Sequence, residues 1–296
     1  MKNALTFDIE EYFHAEAFAR ALRPEEWPGL ESRVVDTTER LLDILDYADS
    51  RATFFVLGWV AERYPALVKD IIGRGHEVAC HGYGHQMIQR LSRQDFAKDV
   101  QRAKTAIEDA AGTAVIGYRA PTFSIRRDTL WSLEVLWEVG FLYDSSIFPI
   151  LHDRYGISDA PRFPHRVALN GDGAGAPKDT ATNSIAEFPL STLSVLGRRV
   201  PIAGGGYFRL APYRLTRLAI RHLNAKEKQP AIVYLHPWEL DVHQPKVRTG
   251  LLTRLRHSVN IHSTEGKLRR LLKDFRFGPV REILAKAGLV TLGDRR

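Results

Sequence analysis

The stretch His76-Glu77-Val78-Ala79-Cys80-His81-Gly82-Tyr83-Gly84-His85 decides how this chain is read. Val78-Ala79-Cys80 is a short apolar run that reads as a buried strand, and it stops at His81. A second histidine follows four positions later, across two glycines. In a local helical turn, positions i and i+4 share a face, so this spacing brings both imidazoles toward one point. The glycines allow a sharp turn and leave space over it. A His-x-x-x-His pair standing alone reads as two surface histidines on a loop. Here four other strand ends also finish on catalytically useful polar residues, and that favours a metal site.

Upstream, the β-branched and aromatic run 52–56 reads as a strand, and so does Leu5-Thr6-Phe7-Asp8, which runs into the carboxylates Asp8, Glu10 and Glu11. Helical periodicity fills 37–48, opened by Asp36 and Thr37, and 60–72, stopped by Gly73 and Gly75. Downstream, helical patterns over 95–110, 128–139 and 213–223 alternate with strand signals. Those signals cover 114–118, leading into Arg119-Ala120-Pro121, then 141–143, ending at Asp144, and 231–235, ending in His236-Pro237-Trp238-Glu239. Strands alternating with helices predict parallel pairing and an α/β fold. In a barrel of such units the active site lies at the C-terminal strand ends, where Asp8, His81, Arg119 and Asp144 all fall.

The rhythm lapses between 150 and 206. Gly171-Asp172-Gly173-Ala174-Gly175-Ala176-Pro177 is a flexible loop signal, and Glu187-Phe188-Pro189-Leu190 and Gly204-Gly205-Gly206-Tyr207-Phe208 read as irregular edges and turns. The expectation is one domain over 1–296, with an irregular insertion over the barrel mouth at about 150–206. A helical C-terminal extension from about 240 carries helices near 264–275 and 279–287.

A 296-residue chain with 44% hydrophobic residues can build a substantial core. Its one cysteine, Cys80, excludes an internal disulfide and reads as a buried strand residue in a reducing compartment. The N-terminus lacks a basic segment followed by an apolar one, and no apolar run has the length of a membrane span, so the soluble cytoplasm is expected. The net charge of +7 sits largely in 246–256 and 267–276, among leucines at helical spacing. That pattern reads as solvated helix faces rather than a nucleic-acid groove, and leaves room for peripheral contact with an anionic polymer or membrane.

Two histidines and a carboxylate form a facial triad that holds a divalent metal with positions open. Such a metal polarises a carbonyl and acidifies water. Hydrolysis then needs a base, which Asp8 or a neighbouring glutamate can supply, and an acid, which His236 can supply.

The set Thr6-Phe7-Asp8, His81-x-x-x-His85, Arg119-Ala120-Pro121, Asp144 and Leu235-His236 resembles the ordered motifs of polysaccharide deacetylases (carbohydrate esterase family four, the NodB homology domain). The opening Asp-x-Glu-Glu-Tyr-Phe, Tyr-Asp-Ser-Ser-Ile-Phe-Pro and the long C-terminal extension are most similar to the branch associated with exosortase and exopolysaccharide gene clusters. The resemblance implies a distorted (β/α) barrel of about seven parallel strands and metal-dependent removal of N-acetyl groups from an amino-sugar polymer. It implies Asp8 as base, Arg119 positioning it, Asp144 tuning the acid, His236 as acid, and His81 and His85 as metal ligands. Where the family usually has a second adjacent aspartate as ligand, this chain has Ile9. A subgroup with Asp-x-Asp points to Glu10 as the carboxylate ligand, with Glu11 as the alternative. Zn2+ is the expected metal, with Co2+, Mn2+ or Ni2+ as alternatives, and no nucleic-acid partner is expected. The substrate implied is an N-acetylated polysaccharide or its lipid-linked intermediate in exopolysaccharide production. The rivals are a small-substrate hydrolase opening cyclic amides or formamides and an inactive carbohydrate-binding homologue. Read alone, Asp144 caps a turn through Ser145 and Ser146, and His236 is a core histidine. Trp238, Tyr83, Phe123 and Trp59 could stack on sugar rings or simply pack. His14 could line the cleft, while His152, His165, His243, His257 and His262 are expected to face solvent.

Overall fold

A computed structural model describes residues 1–169, 183–202, 204–250 and 257–291; the loop expected at Gly171 to Pro177 lies outside them, as do residues 251–256 of the basic segment. The described strands are β1 (Lys2–Ile9), β2 (Thr53–Val56), β3 (Glu77–Cys80), β4 (Gly117–Tyr118), β5 (Tyr143–Asp144), β6 (His165–Ala168), β7 (Ser184–Glu187), β8 (Thr192–Val195), β9 (Arg198–Pro201), β10 (Ile232–Leu235) and β11 (Arg276–Gly278). One sheet runs β10-β1-β2-β3-β4-β5-β7-β6, with β11 beside β1, and β8 and β9 form a separate hairpin. Each neighbouring pair in the large sheet is parallel except β6–β7. The ends of the sheet approach each other. The Ile232 amide donates to Ser191 Oγ at 2.8 Å, and Gly204 bridges to Tyr234. This is the parallel α/β architecture that the alternating pattern predicts, in keeping with the distorted barrel that the resemblance implies.

Strand alternation separates two layers of core. Leu5, Phe7, Ile9, Phe54, Val56, Val78 and Cys80 pack outward beneath the helices. Ala4, Phe55, Ala79, Tyr143, Ile232 and Tyr234 fill the inside. The interior parity therefore carries Thr6, Asp8 and Glu10 on β1 and its end, and His81 one step beyond β3.

Several elements differ from the sequence reading. The single helix expected at 60–72 is two, Gly58–Arg63 and Pro65–Gly73, because Pro65 cannot continue a helix from Tyr64 and instead starts the next one. The region 150–206, expected to be irregular, supplies β7, which extends the parallel sheet beyond β5. Gly205–Leu210 is a short helix, not a turn. The C-terminal extension contains helices Ile261–Asp274 and Val280–Lys286, and between them β11 pairs with the start of β1.

Candidate active site

Strand β1 delivers Thr6, Asp8 and Glu10 to one side of the sheet, while Ile9 between them is fully buried in the outer core. Arg119, also fully buried, lies across this row. Its Nη1 donates to Asp8 Oδ1 at 2.7 Å and Thr6 Oγ1 at 2.8 Å, its Nε to the Ser145 carbonyl and its Nη2 to Ser145 Oγ, both at 3.1 Å. The guanidinium sits 4.1 Å from the Phe55 ring centroid. A guanidinium so fixed holds one oxygen of Asp8 through Nη1 and leaves the other, Oδ2, turned toward His236.

Glu10, His81 and His85 place one ligand atom each within 4.8 Å of one another. His81 Nδ1 lies 2.8 Å from the Arg119 carbonyl, which can only accept, so Nδ1 carries the proton and Nε2 keeps its lone pair. Burial lowers the His81 pKa to about 4, so the ring is neutral. Glu10 Oε1 accepts the Trp238 indole N–H at 3.1 Å. Its Oε2 is buried and lies 2.8 Å from His85 Nε2. Burial alone would raise the Glu10 pKa, but His85, His236 and His81 together hold it well below the usual carboxylate range. An ionised carboxylate oxygen facing two imidazoles fits a divalent cation, hard enough for oxygen and soft enough for nitrogen. Glu11 does not join this group. Its carboxylate accepts from Ser32 Oγ and from the Arg33 amide at 2.9 Å, on the far side of the backbone.

The loop between the histidines is not a helical turn. Gly82 and His85 both take left-handed backbone angles, with φ of 76° and 52°. Asp99, from the helix Arg93–Ala111, holds the loop by accepting from the Tyr83 amide at 3.0 Å and from the Gly84 amide. A Cβ on Gly82 would stand 3.2 Å from Asp99 Oδ2, so glycine gives the carboxylate room to enter. Asp99 carries no local motif that could have marked it in the sequence.

His236 follows β10 and presents Nε2 3.8 Å from both Asp8 Oδ2 and Glu10 Oε1. Its Nδ1 lies 2.8 Å from Glu239 Oε1, and Glu239 Oε2 pairs with Arg209 Nε at 2.7 Å. Burial would lower the His236 pKa, yet the bond to Glu239 and the charges of Glu10, Glu239 and Asp8 raise it to about 9. The expected pairing of Asp144 with His236 is thus corrected: Glu239 takes that place. Asp144 accepts from Ser146 Oγ at 2.5 Å and the Ser146 amide at 3.1 Å, the turn-capping arrangement. It also shares a hydrogen bond with Glu187, and burial raises the pKa of both carboxyls, Glu187 most, beside the Asp144 charge. The i,i+3 spacing of His236 and Glu239 at a strand-to-turn junction was the available signal for the true partner.

The aromatic candidates are committed elsewhere. Trp238 is buried and stacks between His236 and His257, with centroids 4.8 and 4.3 Å away. Tyr83 lies under Arg102 and donates to Glu62 at 2.7 Å. Phe123 packs on Tyr234, and Trp59 on Phe13 and His14. His257, expected in solvent, is buried because it closes the Trp238 stack; His243 and His262 are exposed, and His152 and His165 are half-buried. His14 is buried beside Trp27 and Trp59, accepts the Glu11 amide at Nδ1, and has its pKa lowered to about 3 by burial.

Two family profiles match consecutive parts of the chain: "Polysaccharide deacetylase" over residues 4–137, and a "Domain of unknown function" (DUF3473) over 145–285. A peptidoglycan deacetylase-like protein of Gibberella zeae is 36% identical over 110 residues, spanning 36% of this chain and 32% of that protein. A chitooligosaccharide deacetylase of Sinorhizobium fredii is 29% identical over 170 residues, spanning 55% of this chain and 78% of that one. A crystal structure from Mycobacterium smegmatis, assigned to the polysaccharide deacetylases, superposes with a TM-score of 0.61 at 21% identity, covering 99% of this chain and 93% of that one. That likeness concerns the fold.

Proposed function

We propose that this chain, whose residues 4–137 match the polysaccharide deacetylase family, hydrolyses N-acetyl groups from an amino-sugar polymer or its lipid-linked precursor, in exopolysaccharide production. The observation that carries the reading is the convergence of Asp8, the Glu10–His81–His85 group and His236 at one barrel mouth. A divalent ion, Zn2+ for choice, held by Glu10, His81 and His85 would polarise the acetyl carbonyl and make water a better nucleophile. Asp8, fixed through Oδ1 by Arg119, takes a proton from the attacking water at Oδ2. The carbon–nitrogen bond breaks as His236 Nε2 gives its proton to the departing nitrogen, leaving acetate and a free amine. Glu239 accepts from Nδ1 throughout, so the imidazole keeps Nε2 aimed inward and its charged form stays favoured. The unpaired, buried Cys80 fits a reducing compartment, which supports the cytoplasmic side as the place of reaction. The test is acetate release by Zn-loaded protein from N-acetylglucosamine oligomers, run beside formamide and cyclic-amide substrates. Turnover of the oligomers alone supports the proposal, and turnover of only the small amides replaces it with the small-substrate reading.

A further inference from the structure

From residue 188 to residue 226 the chain contains no aspartate or glutamate, yet it carries Arg198, Arg199, Arg209, Arg214, Arg217, Arg221 and Lys226. The same run holds Val195, Leu196, Val200, Leu210, Leu215 and Leu218, six of the ten large apolar side chains exposed among the described residues. Isolated exposed leucines need no explanation, but apolar exposure concentrated in an acid-free basic run does. The helix Tyr213–His222 shows the arrangement most clearly. Thr216, Ala219 and Ile220 form its buried face, and the opposite face presents Leu215 and Leu218, 59% and 62% exposed, flanked by exposed Arg214, Arg221 and His222. Arg214 and Arg221 enter none of the ion pairs among the described residues, whereas Arg217, nearer the core, pairs with Asp274 at 2.9 Å.

We propose that this helix face, together with the neighbouring exposed Leu210, is a docking surface for an anionic lipid membrane. Exposed aliphatic side chains interleaved with unpaired cations suit the headgroup boundary, where leucines enter the acyl region and arginines reach phosphates. A protein partner would call for a different face, since protein interfaces favour aromatic anchors at a core depleted in charge. The basic C-terminal segment is the weaker candidate because its cations are partly in use. Lys267 donates to the carbonyls of Phe208, Arg209 and Ala211, and Arg269 pairs with Glu265. The docking face also begins beside the catalytic group: Leu210 follows Arg209, which holds Glu239 and through it His236. Binding itself does not depend on the reaction proposed above.

The test is co-sedimentation of the full chain with phosphatidylcholine vesicles, with and without phosphatidylglycerol, at low and high salt. Wild-type protein is expected to sediment only with the anionic vesicles, and less at high salt. Leu215→Ser with Leu218→Ser, and separately Arg214→Glu with Arg221→Glu, should each weaken binding by roughly tenfold or more. Arg270→Glu with Lys273→Glu, on the helix Ile261–Asp274, should weaken it much less. Unchanged melting temperatures show that the variants fold. Absence of binding to anionic vesicles overturns the proposal. So does loss with the arginine pair but not the leucine pair, which would reduce the effect to surface charge. A wild-type dimer in light scattering that the leucine pair converts to monomer would assign the face to a second copy instead.

Discussion

Asp8 and Glu10 stand two residues apart on the same side of β1, and what holds each of them separates their chemistry. Arg119 holds Asp8 by one oxygen, whereas Trp238 and two histidines surround Glu10. Asp8→Asn should therefore keep the bound metal and lose turnover by roughly 100-fold or more, the usual scale for a missing general base. Glu10→Ala should lose the metal first. Glu11→Ala should do neither, because its carboxylate serves the Ser32–Arg33 turn. Metal titration and turnover of the three single variants separate the cases, and a Glu11 variant unable to bind metal would contradict the assignment. Glu239→Gln should lower turnover by roughly tenfold or more while metal affinity stays unchanged, because the imidazolium loses a charged partner but the ligands keep theirs. At this scale the sequence was legible along β1: strand parity alone puts positions 8 and 10 together and buries Ile9. It was not legible where a partner comes from a distant element. Arg209 and Asp99 have nothing near them in the chain that marks them, and Asp144 looked like the histidine's partner until its own turn claimed both its oxygens.

Among the elements, the histidine loop depends most on its neighbours. Its left-handed angles at Gly82 and His85 are set from outside, by the Asp99 carboxylate below and by the Gly58 and Trp59 amides, which donate to the Gly82 and Tyr83 carbonyls at 2.9 and 3.1 Å. Asp99→Ala should weaken metal binding about 10- to 100-fold, the range seen when supporting groups behind metal ligands are removed. Asp99→Asn, which retains an acceptor, should recover part of it. Calorimetric titration with Zn2+ measures both, and equal affinity in the alanine variant and the wild type would show that the loop holds itself. The spacing of the two histidines correctly announced that they converge, but the helical turn inferred to bring them together is absent. Short range patterns also failed from 184 to 187, where Ser184-Ile185-Ala186-Glu187 becomes a sheet strand although its flanks carry no periodic signal. Its edge is fixed by long-range pairing with β5, a contact that no local window contains.

On the scale of the molecule, the two matched family regions share one barrel and one site. Asp8, Glu10, His81, His85 and Arg119 lie in the first, and Arg209, His236 and Glu239 in the second. The last described strand and helix close the barrel's opposite end. There β11 pairs with β1, the Val280 amide donates to Thr53 Oγ1 at 2.8 Å, and the Arg281 amide donates to the buried Glu77 at 3.1 Å. Ending the chain at residue 275 would leave Thr53 Oγ1 and the buried Glu77 carboxylate without these donors, at about 1–3 kcal/mol each, and would strip from the inner core the apolar cover of Val280, Ile283 and Leu284, at about 1.5–3 kcal/mol each. The sum is of the order of a domain's whole stability, so the shortened chain should show no cooperative thermal transition. A cooperative transition near that of the full chain would contradict this. The most direct measurement of the central claim, one catalytic centre built from both halves, is acetate release from N-acetylglucosamine oligomers by His236→Ala beside wild type, with metal content determined on the same samples. The account predicts equal metal in both, acetate from the wild type that stops on chelation and returns with Zn2+, and a loss of roughly 100-fold or more in the variant. Undiminished release by His236→Ala, or release from the wild type that chelation leaves untouched, would contradict it.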